Sequence, residues 1–318
     1  MKYSFIIPVF NRPDEAKELL DSLAGQECRD FEVIVVEDGS SVPCREVAES
    51  HSADLDIKYL LKENGGPGPA RNYGAEKASG EYLIFLDSDC VIPPGYLSAV
   101  EKSLKDSGAD AFGGPDRAME SFSDIQKAIN YSMTSFFTTG GIRGKKKGLE
   151  KFHPRSFNMG VRTEIFRRLG GFSGMRFGED IDLSIRLFES GADCRLFPDA
   201  WVWHKRRTDF KKFFKQVHNS GIARINLEKR HPGTLKPVHL LPALFTLSCI
   251  TVIIPICYAA LIFTDASIVC RSIRIGALSV VASFMQLIGY GTGFIRAWWN
   301  RCVLGKPEFD SFKETFYK

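Results

Sequence analysis

Three carboxylates follow closely behind short apolar runs near the N-terminus, where they could bind a cation. Asp38 comes after the run 31–36, and Asp87 and Asp89 come directly after the run 82–86. In an extended segment, residues two apart point the same way, so Asp87 and Asp89 can approach one small ion. Hard oxygen ligands suit Mg²⁺ or Mn²⁺. The alternative is an Asx-type turn that caps the next element.

A glycine- and proline-rich segment, 64–69, precedes Arg71. A glycine-rich loop that opens a helix offers backbone N–H donors to an anion, and Arg71 adds a fixed positive charge. The spacing does not match a dinucleotide-binding fingerprint, because Arg71 stands where the last glycine belongs and the loop follows the third predicted strand. The alternative is a tight turn with Arg71 in a surface ion pair.

Two further candidates lie beyond residue 170. Helical spacing places Asp180 on the inward face at the start of a helix, whereas Asp182 and Arg186 form a surface ion pair. An inward carboxylate at a helix start is either an N-cap or a functional base. His204 follows a predicted strand at 201–203 and is either a structural residue or a ligand for a metal or phosphate.

The elements that position these residues alternate between strand and helix over the first 115 residues. Strand–helix alternation at this spacing predicts an α/β fold with a doubly wound, mostly parallel sheet. Its ligand crevice would lie at the carboxyl ends of the strands. The predicted strands are 3–9, 31–36, 57–61, 82–86 and 109–113, and the predicted helices are 13–23, 70–78 and one after residue 94.

Composition narrows the function classes. The 318 residues carry a net charge of +4, too slight a bias to indicate a nucleic-acid partner. The eight cysteines are scattered without Cys-x-x-Cys pairs, which argues against a disulfide framework or structural zinc and favours reduced thiols. The apolar run 3–10 is short and contains Pro8, so its pattern does not predict a secretory signal.

The C-terminal part predicts a membrane-embedded helical hairpin. Residues 239–263 and 275–295 contain no Lys, Arg, Asp or Glu, and each is long enough to cross a bilayer. Ten Lys or Arg residues between 205 and 236 place both chain ends in the cytoplasm. The alternatives are two core helices of a soluble domain and a monotopic hairpin in one leaflet. The predicted location is a membrane, with the N-terminal α/β domain facing the cytoplasm.

Six segments together resemble the family 2 glycosyltransferases with the GT-A fold, over roughly residues 3–215. The C-terminal hairpin is similar to that of bacterial membrane-associated members. No Gln-x-x-Arg-Trp motif of processive synthases is present, which favours transfer of a single sugar. The six segments are Tyr3–Arg12, Val36–Ser40, Gly68–Asn72, Leu86–Asp89, Phe157–Gly160 and Gly178–Asp180.

The resemblance implies a role for each candidate. Pro8, Asp38, Arg71 and Asp87 would bind a nucleotide-sugar donor, expected to be UDP-linked. Asp87, Asp89 and His204 would hold Mn²⁺ or Mg²⁺ on the diphosphate.

On the acceptor side, Asp180 would deprotonate the hydroxyl of a lipid-linked or glycan acceptor in one inverting displacement. Segments 113–117 and 140–160 would shape the pocket. The alternatives are transfer to polyprenyl phosphate and an inactive membrane scaffold.

The domains expected from these patterns are four. Residues 1–215 form the catalytic domain, 216–238 a basic juxtamembrane linker, 239–296 the membrane hairpin and 297–318 a cytoplasmic tail.

Overall fold

The computed structural model describes residues 1–140 and 152–308. These residues divide into two compact units. The first, the sheet unit, comprises 1–117 and 152–205, and the second, the helical unit, comprises 118–140 and 206–308. Helix α9 runs without a break through the predicted domain boundary at residue 215.

The sheet unit contains all strands of the described residues. They are β1 Tyr3–Val9, β2 Phe31–Asp38, β3 Ile57–Lys62, β4 Tyr82–Leu86, β5 Cys90–Val91, β6 Ala111–Gly113, β7 Asp116–Arg117, β8 Asn158–Arg162, β9 Cys194–Leu196 and β10 Val202–His204. Its helices are α1 Pro13–Ala24, α2 Arg45–Ser50, α3 Pro67–Glu76, α4 Tyr96–Ser107, α7 Thr163–Arg168 and α8 Glu179–Glu189.

Seven strands form the main sheet in the order β3-β2-β1-β4-β8-β6-β9. Strands β1 to β4 run parallel, and β8 is antiparallel to both of its neighbours. Strands β5, β10 and β7 form a small second sheet. The predicted mostly parallel α/β architecture is therefore confirmed.

Both faces of the main sheet are covered, because successive strand side chains enter two separate apolar clusters. Phe5 and Ile7 belong to one cluster, whereas Ile6, between them, belongs to the other. This pattern is typical of parallel strands buried on both sides. Strand β2 extends two residues beyond the prediction, so Asp38 is its last residue, and α3 begins at Pro67, where proline suits the first helical turn.

A buried acid in β2 links three elements of the sheet unit. Glu32 accepts hydrogen bonds from the Ser4 hydroxyl and the Ser79 backbone at 2.7 Å each, and pairs with Lys58 at 2.6 Å. Burial alone would raise the pKa of Glu32, but these donors outweigh it and lower that pKa to about 2. The lowered pKa means that the charged Glu32 stabilises the folded state at pH values above the ordinary pKa of glutamate. This stabilisation is lost as the pH falls towards 2.

We therefore expect E32Q to lower the free energy of unfolding by about 3 kcal/mol at pH 7, the equivalent of the pKa shift. The deficit should shrink steadily below pH 4. Urea unfolding at a series of pH values measures it, with the exposed Glu49→Gln as the control. A deficit that stays constant with pH would show that the charge of Glu32 contributes nothing.

The helical unit contains the C-terminal apolar segments. Its helices are α5 Asp124–Thr134, α6 Phe136–Thr139, α9 Phe210–Arg230, α10 Leu241–Ser248, α11 Ile253–Val269 and α12 Ile273–Trp298, with a 3₁₀ turn at Pro237–Leu240 and a π-helical turn at Trp299–Val303.

The two predicted membrane segments differ in the structure. Helix α12 with the π-helical turn is one continuous helix, long and apolar enough to cross a bilayer. The segment 239–263 is not one straight helix, because α10 and α11 meet at a bend of 117°. The described residues thus contain one candidate span, or two if the bent pair counts as one.

Candidate active site

The carboxyl ends of β1, β2 and β4 lie side by side, since these strands are parallel neighbours in the sheet. Pro8 lies near the end of β1 and Asp38 ends β2. Asp87 and Asp89 follow β4 directly. The topology therefore brings the donor-side candidates to one edge, as the sequence predicts.

Asp38 fixes the glycine-rich loop. One carboxylate oxygen accepts hydrogen bonds from Lys62 Nζ at 2.7 Å and the Gly65 backbone N–H at 2.9 Å. The other accepts from the Gly66 N–H at 2.8 Å, and Asp38 is buried. Gly66 has a φ of +90°, which suits glycine. The carboxylate expected to contact the nucleotide thus also positions the loop that opens α3.

Arg71 joins the two halves of the site. Its Nη2 donates to Asp87 Oδ1 at 2.6 Å, and its Nη1 donates to Glu179 Oε1 at 3.0 Å. The guanidinium also lies over the ring of Phe172, 5.3 Å from its centroid. Arg71 is buried, so it does not form the surface ion pair that the alternative interpretation describes.

Asp180 lies in the first turn of α8 and is not its N-cap, because Gly178 takes that position with a φ of +83°. Arg155 Nε donates to Asp180 Oδ2 at 2.6 Å, and the Ile181 N–H donates to Oδ1 at 2.8 Å. Asp180 is buried. The inward orientation predicted from helical spacing agrees with this placement.

The neighbouring Asp182 corrects one prediction. It pairs with Arg186 at 2.8 Å, as the spacing indicates, but Asp182 is buried and the pair is not on the surface. Arg186 also donates to the carbonyl groups of Leu169 and Gly171 at 2.7 Å each. The pair therefore ties α8 to the preceding loop.

The two adjacent acids at the start of α8 have opposite pKa shifts. Burial and the nearby charge of Asp180 raise the pKa of Glu179 to about 7. Burial would also raise the pKa of Asp180, but Arg155 outweighs it and holds that pKa below its ordinary value. Asp180 therefore ionises more readily than Glu179 and is the better candidate for a base.

A second cluster lies on the other side of the acidic turn. Asp89 pairs with His204 Nε2 at 3.2 Å and with Arg12 Nη1 at 2.8 Å. Ligand atoms of Asp89, Cys90 and His204 all lie within 4.8 Å of one another. A carboxylate oxygen beside an imidazole nitrogen fits a divalent cation, so these residues suit the implied metal.

Asp87 and Asp89 form ion pairs with different side chains. Asp87 contacts Arg71, whereas Asp89 contacts Arg12 and His204. Among the described residues, the group able to hold a metal contains Asp89 and His204 but not Asp87. The structure thus assigns the two acids to neighbouring cationic groups.

The sequence analysis did not predict several residues that contact the site. Arg12 and Glu179 lie within the six segments that resemble the family, and their charge could have marked them as candidates for the site. Arg155 had no signal, since its partner Asp180 is 25 residues away. Asn158 is fully buried and binds Tyr96 and the Ala200 carbonyl, so its contacts are structural.

Of the two segments expected to shape the pocket, 113–117 lies entirely within the described residues. Gly114 lies so close to Ala200 that an added Cβ would meet its carbonyl oxygen at 1.6 Å. Residues 141–151 of the predicted loop lie outside the described residues.

A mostly parallel sheet, with an acidic pair behind β4 and a buried acid at the start of α8, defines the GT-A class of glycosyltransferase folds. The family model for glycosyl transferase family 2 matches residues 4–170, and the chain belongs to this family. This confirms the resemblance seen in the six sequence segments.

Known relatives agree with this assignment. The pre-mycofactocin glycosyltransferase of Mycobacterium tuberculosis is 30% identical over 238 residues, 73% of this chain and 49% of that protein. A GalNAc(5)-diNAcBac-PP-undecaprenol beta-1,3-glucosyltransferase of Campylobacter jejuni is 36% identical over 115 residues, 35% of this chain and 37% of that one. The chain spans less than half the length of the curated relatives it matches.

Solved structures show the same fold. The mannosyltransferase PcManGT of Pyrobaculum calidifontis, solved with GDP-Man and Mn²⁺, superimposes with a TM-score of 0.63 at 19% identity. The match covers 94% of this chain and 88% of that one.

Proposed function

We propose that this chain is an inverting, metal-dependent glycosyltransferase that moves one sugar from a nucleotide-sugar donor to an acceptor hydroxyl. The observation that carries the proposal is the position of Arg71, which contacts donor-side Asp87 and acceptor-side Glu179 together. The named relatives and the GT-A fold support the same chemistry.

On the donor side, Pro8, Asp38, Arg71 and Asp87 surround the proposed nucleotide-sugar site. The Gly65 and Gly66 N–H groups are held by Asp38, so the loop keeps one shape before a ligand arrives. Arg71 holds Asp87 in place behind β4. A preorganised loop loses less conformational freedom on binding. We propose a UDP-linked donor.

On the acceptor side, Asp180 accepts the proton of the attacking hydroxyl as the new bond forms. The acceptor oxygen bonds to the anomeric carbon, and the bond from that carbon to the diphosphate oxygen breaks. The electron pair leaves with the nucleoside diphosphate. Because Asp180 has a low pKa, the proton transfers late, when the hydroxyl has become acidic.

We propose Mn²⁺ as the metal, held by Asp89 and His204, with Asp87 beside them. Imidazole is a poorer partner for Mg²⁺, which prefers an all-oxygen shell. When bound, the cation neutralises charge on the departing diphosphate. Arg12, which contacts the Asp89 carboxylate, adds a second positive charge at this position.

Removing the imidazole should weaken metal binding selectively. We expect His204→Ala to raise the Mn²⁺ concentration for half-maximal activity at least about tenfold. Losing a residue that only hydrogen-bonds to a metal ligand already weakens metal binding by about tenfold or more, and losing a direct ligand should cost no less. Activity measured across a Mn²⁺ titration gives this value, and His231→Ala in the helical unit is the control. Identical titration curves for H204A and the unaltered protein would contradict the assignment.

The acceptor we propose is a lipid-linked or polysaccharide-precursor hydroxyl, a class that includes the substrate named for the Campylobacter relative. Membranes containing the protein would be supplied with labelled nucleotide sugars and Mn²⁺. Label in an extended lipid-linked glycan supports the proposal. An acid-labile monosaccharide lipid would instead identify a polyprenyl-phosphate transferase, and no transfer at all would leave the scaffold alternative.

We further propose that the chain works on the cytoplasmic face of the inner membrane, with 1–215 catalytic, 216–238 a basic linker, 239–296 the membrane-associated hairpin and 297–318 a cytoplasmic tail. The apolar helices and the basic residues before them support this location. A membrane site would bring the enzyme to acceptors that carry lipid.

A further inference from the structure

Large exposed apolar side chains are concentrated in one part of the helical unit. Of the 24 in the described residues, 14 lie between 240 and 273. Ile250, Val252 and Ile253 at the α10–α11 bend are 85%, 69% and 75% exposed. Monomeric soluble proteins rarely expose apolar patches of this extent.

The apolar surface of α10 and α11 carries almost no charge. Between 237 and 270 the only residue among Lys, Arg, Asp and Glu is Asp265, and its carboxylate accepts a hydrogen bond from Tyr131 of α5. The surface is therefore suited to hydrocarbon and not to water.

Helix α12, in contrast, packs not only against α10 and α11 but also against two helices that carry charged residues, α9 and α5. Close backbone contacts allow α9 to lie along its C-terminal half, since an added Cβ on Gly221 would meet the Tyr290 carbonyl oxygen at 2.1 Å. Ile225 packs with Phe294 near the end of this contact. Glycines permit such an approach between helices.

Helix α5 covers the N-terminal half of α12. Ala128 and Ile129 pack with Ile275 and Ala282, and Asp124 pairs with Arg274 at 3.1 Å. The whole length of α12, about 39 Å at 1.5 Å per residue, is thus lined by helices that carry charged residues.

A bilayer-spanning α12 would carry its neighbours into the hydrocarbon. Lys211, Lys212 and Lys215 on α9 are exposed. Charged side chains facing lipid are costly and rare within a membrane. The packing therefore disfavours a conventional crossing by α12.

The basic and apolar surfaces meet at one groove. Phe214 of α9, Ala259 of α11 and Phe284 of α12 line it. Lys211 lies three residues before Phe214 in α9, and Lys215 follows it directly. Both lysines are exposed, so positive charge lies beside the apolar groove. Anionic lipid headgroups above hydrocarbon have the matching pattern, charge beside an apolar layer.

We propose that the helical unit is monotopic: α10 and α11 insert into one leaflet of an anionic bilayer, the lysines of α9 contact the headgroups, and α12 stays on the same side. This deepens the proposed membrane location, but the test reads lipid contact and not sugar transfer. Its failure would leave the proposed chemistry untouched.

Thiol labelling in vesicles tests the topology. The native Cys249 and Cys257 lie on the apolar surface and Cys302 follows α12, all exposed. An R271C substitution adds a thiol at the other end of α12. Each thiol would be kept alone, with the remaining accessible cysteines changed to serine, and treated with a membrane-impermeant maleimide.

We expect the thiols of R271C and Cys302 to react from the same side of sealed vesicles, while Cys249 and Cys257 react only after detergent. Reaction of R271C and Cys302 from opposite sides would show a spanning α12 and overturn the proposal. Reaction of all four without detergent would show that no leaflet covers the surface, and would also overturn it.

Flotation with vesicles tests the two surfaces separately. We expect Ile253→Asp to reduce binding to phosphatidylglycerol-containing vesicles at every salt concentration, and K211Q/K212Q/K215Q to reduce it at least tenfold at low salt only. Circular dichroism confirms that the exposed substitutions leave the fold intact. Full binding by both variants would refute the proposed surface.

Discussion

Replacement of Asp180 with asparagine is expected to lower kcat by about 10²–10⁴-fold, the usual contribution of a general base. Asparagine keeps the size of the side chain and can still accept a hydrogen bond from Arg155, but it cannot take up a proton. The affinity for the donor should stay within a few-fold of the original value. Steady-state kinetics and calorimetric titration of the nucleotide sugar measure the two quantities.

The control for this substitution is Asp106→Asn on the exposed face of α4, which should leave kcat unchanged. If D180N keeps more than a tenth of kcat, Asp180 is not the base. If donor binding falls with kcat, the substitution has disturbed the site as a whole.

Arg155 offers an independent check through pH. It holds the pKa of Asp180 low, against the effect of burial. Activity should therefore persist in acid until the pH falls below the ordinary range of aspartate. Arg155→Ala should raise the pKa of Asp180 and move the acidic limb of the pH–rate profile to higher pH. If the acidic limb does not move, it reflects the ionisation of a group other than Asp180.

Replacement of Arg71 with methionine is expected to cost about 3–5 kcal/mol of unfolding free energy at pH 7, because the buried Glu179 and the half-buried Asp87 lose the cation that they share. Arg71 holds Asp87 and Glu179 from a side chain that is only 3% exposed. Lysine at this position should restore part of the loss, since one ammonium group cannot reproduce the two-pronged contact.

Arg162 is a matched control, because it also contacts two carboxylates, Glu81 at 2.9 Å and Asp110 at 3.3 Å, but is 34% exposed. Arg162→Met should cost less than about 1 kcal/mol. Urea unfolding of both variants gives the comparison. Equal losses for R71M and R162M would show that burial of the Arg71 cluster has no energetic consequence.

The pH dependence of R71M follows from the acids it leaves behind. Burial already raises the pKa of Glu179 to about 7, so Glu179 binds a proton and loses its charge as pH falls below 7, and the deficit of R71M should shrink. The double variant R71M/E179Q should recover part of the stability at pH 7, because the buried carboxyl group that lacks its partner is gone. A deficit that grows in acid would contradict the ion-pair explanation.

The sequence alone predicted strands β1 to β4, β6 and β10, the position of the acidic turn and the inward face of Asp180. These features depend on local patterns: a short continuous apolar run predicts a strand covered on both faces, and apolar spacing of three and four residues predicts a helix face. The acids 38, 87 and 89 could be placed at one edge for the same reason, since parallel strands end together.

Only the tertiary structure decided which charged side chains of the site pair with each other. Arg71 reaches Asp87, 16 residues away, and Glu179, 108 residues away, and no local pattern encodes such contacts. The separation of Asp87 from Asp89 follows from the cations that lie on either side of the turn. Tertiary contacts likewise decide the bend between α10 and α11 and the packing of α9 and α5 on α12. Hydropathy could not predict either feature, because it measures the apolar content of a segment and not which helices cover that segment.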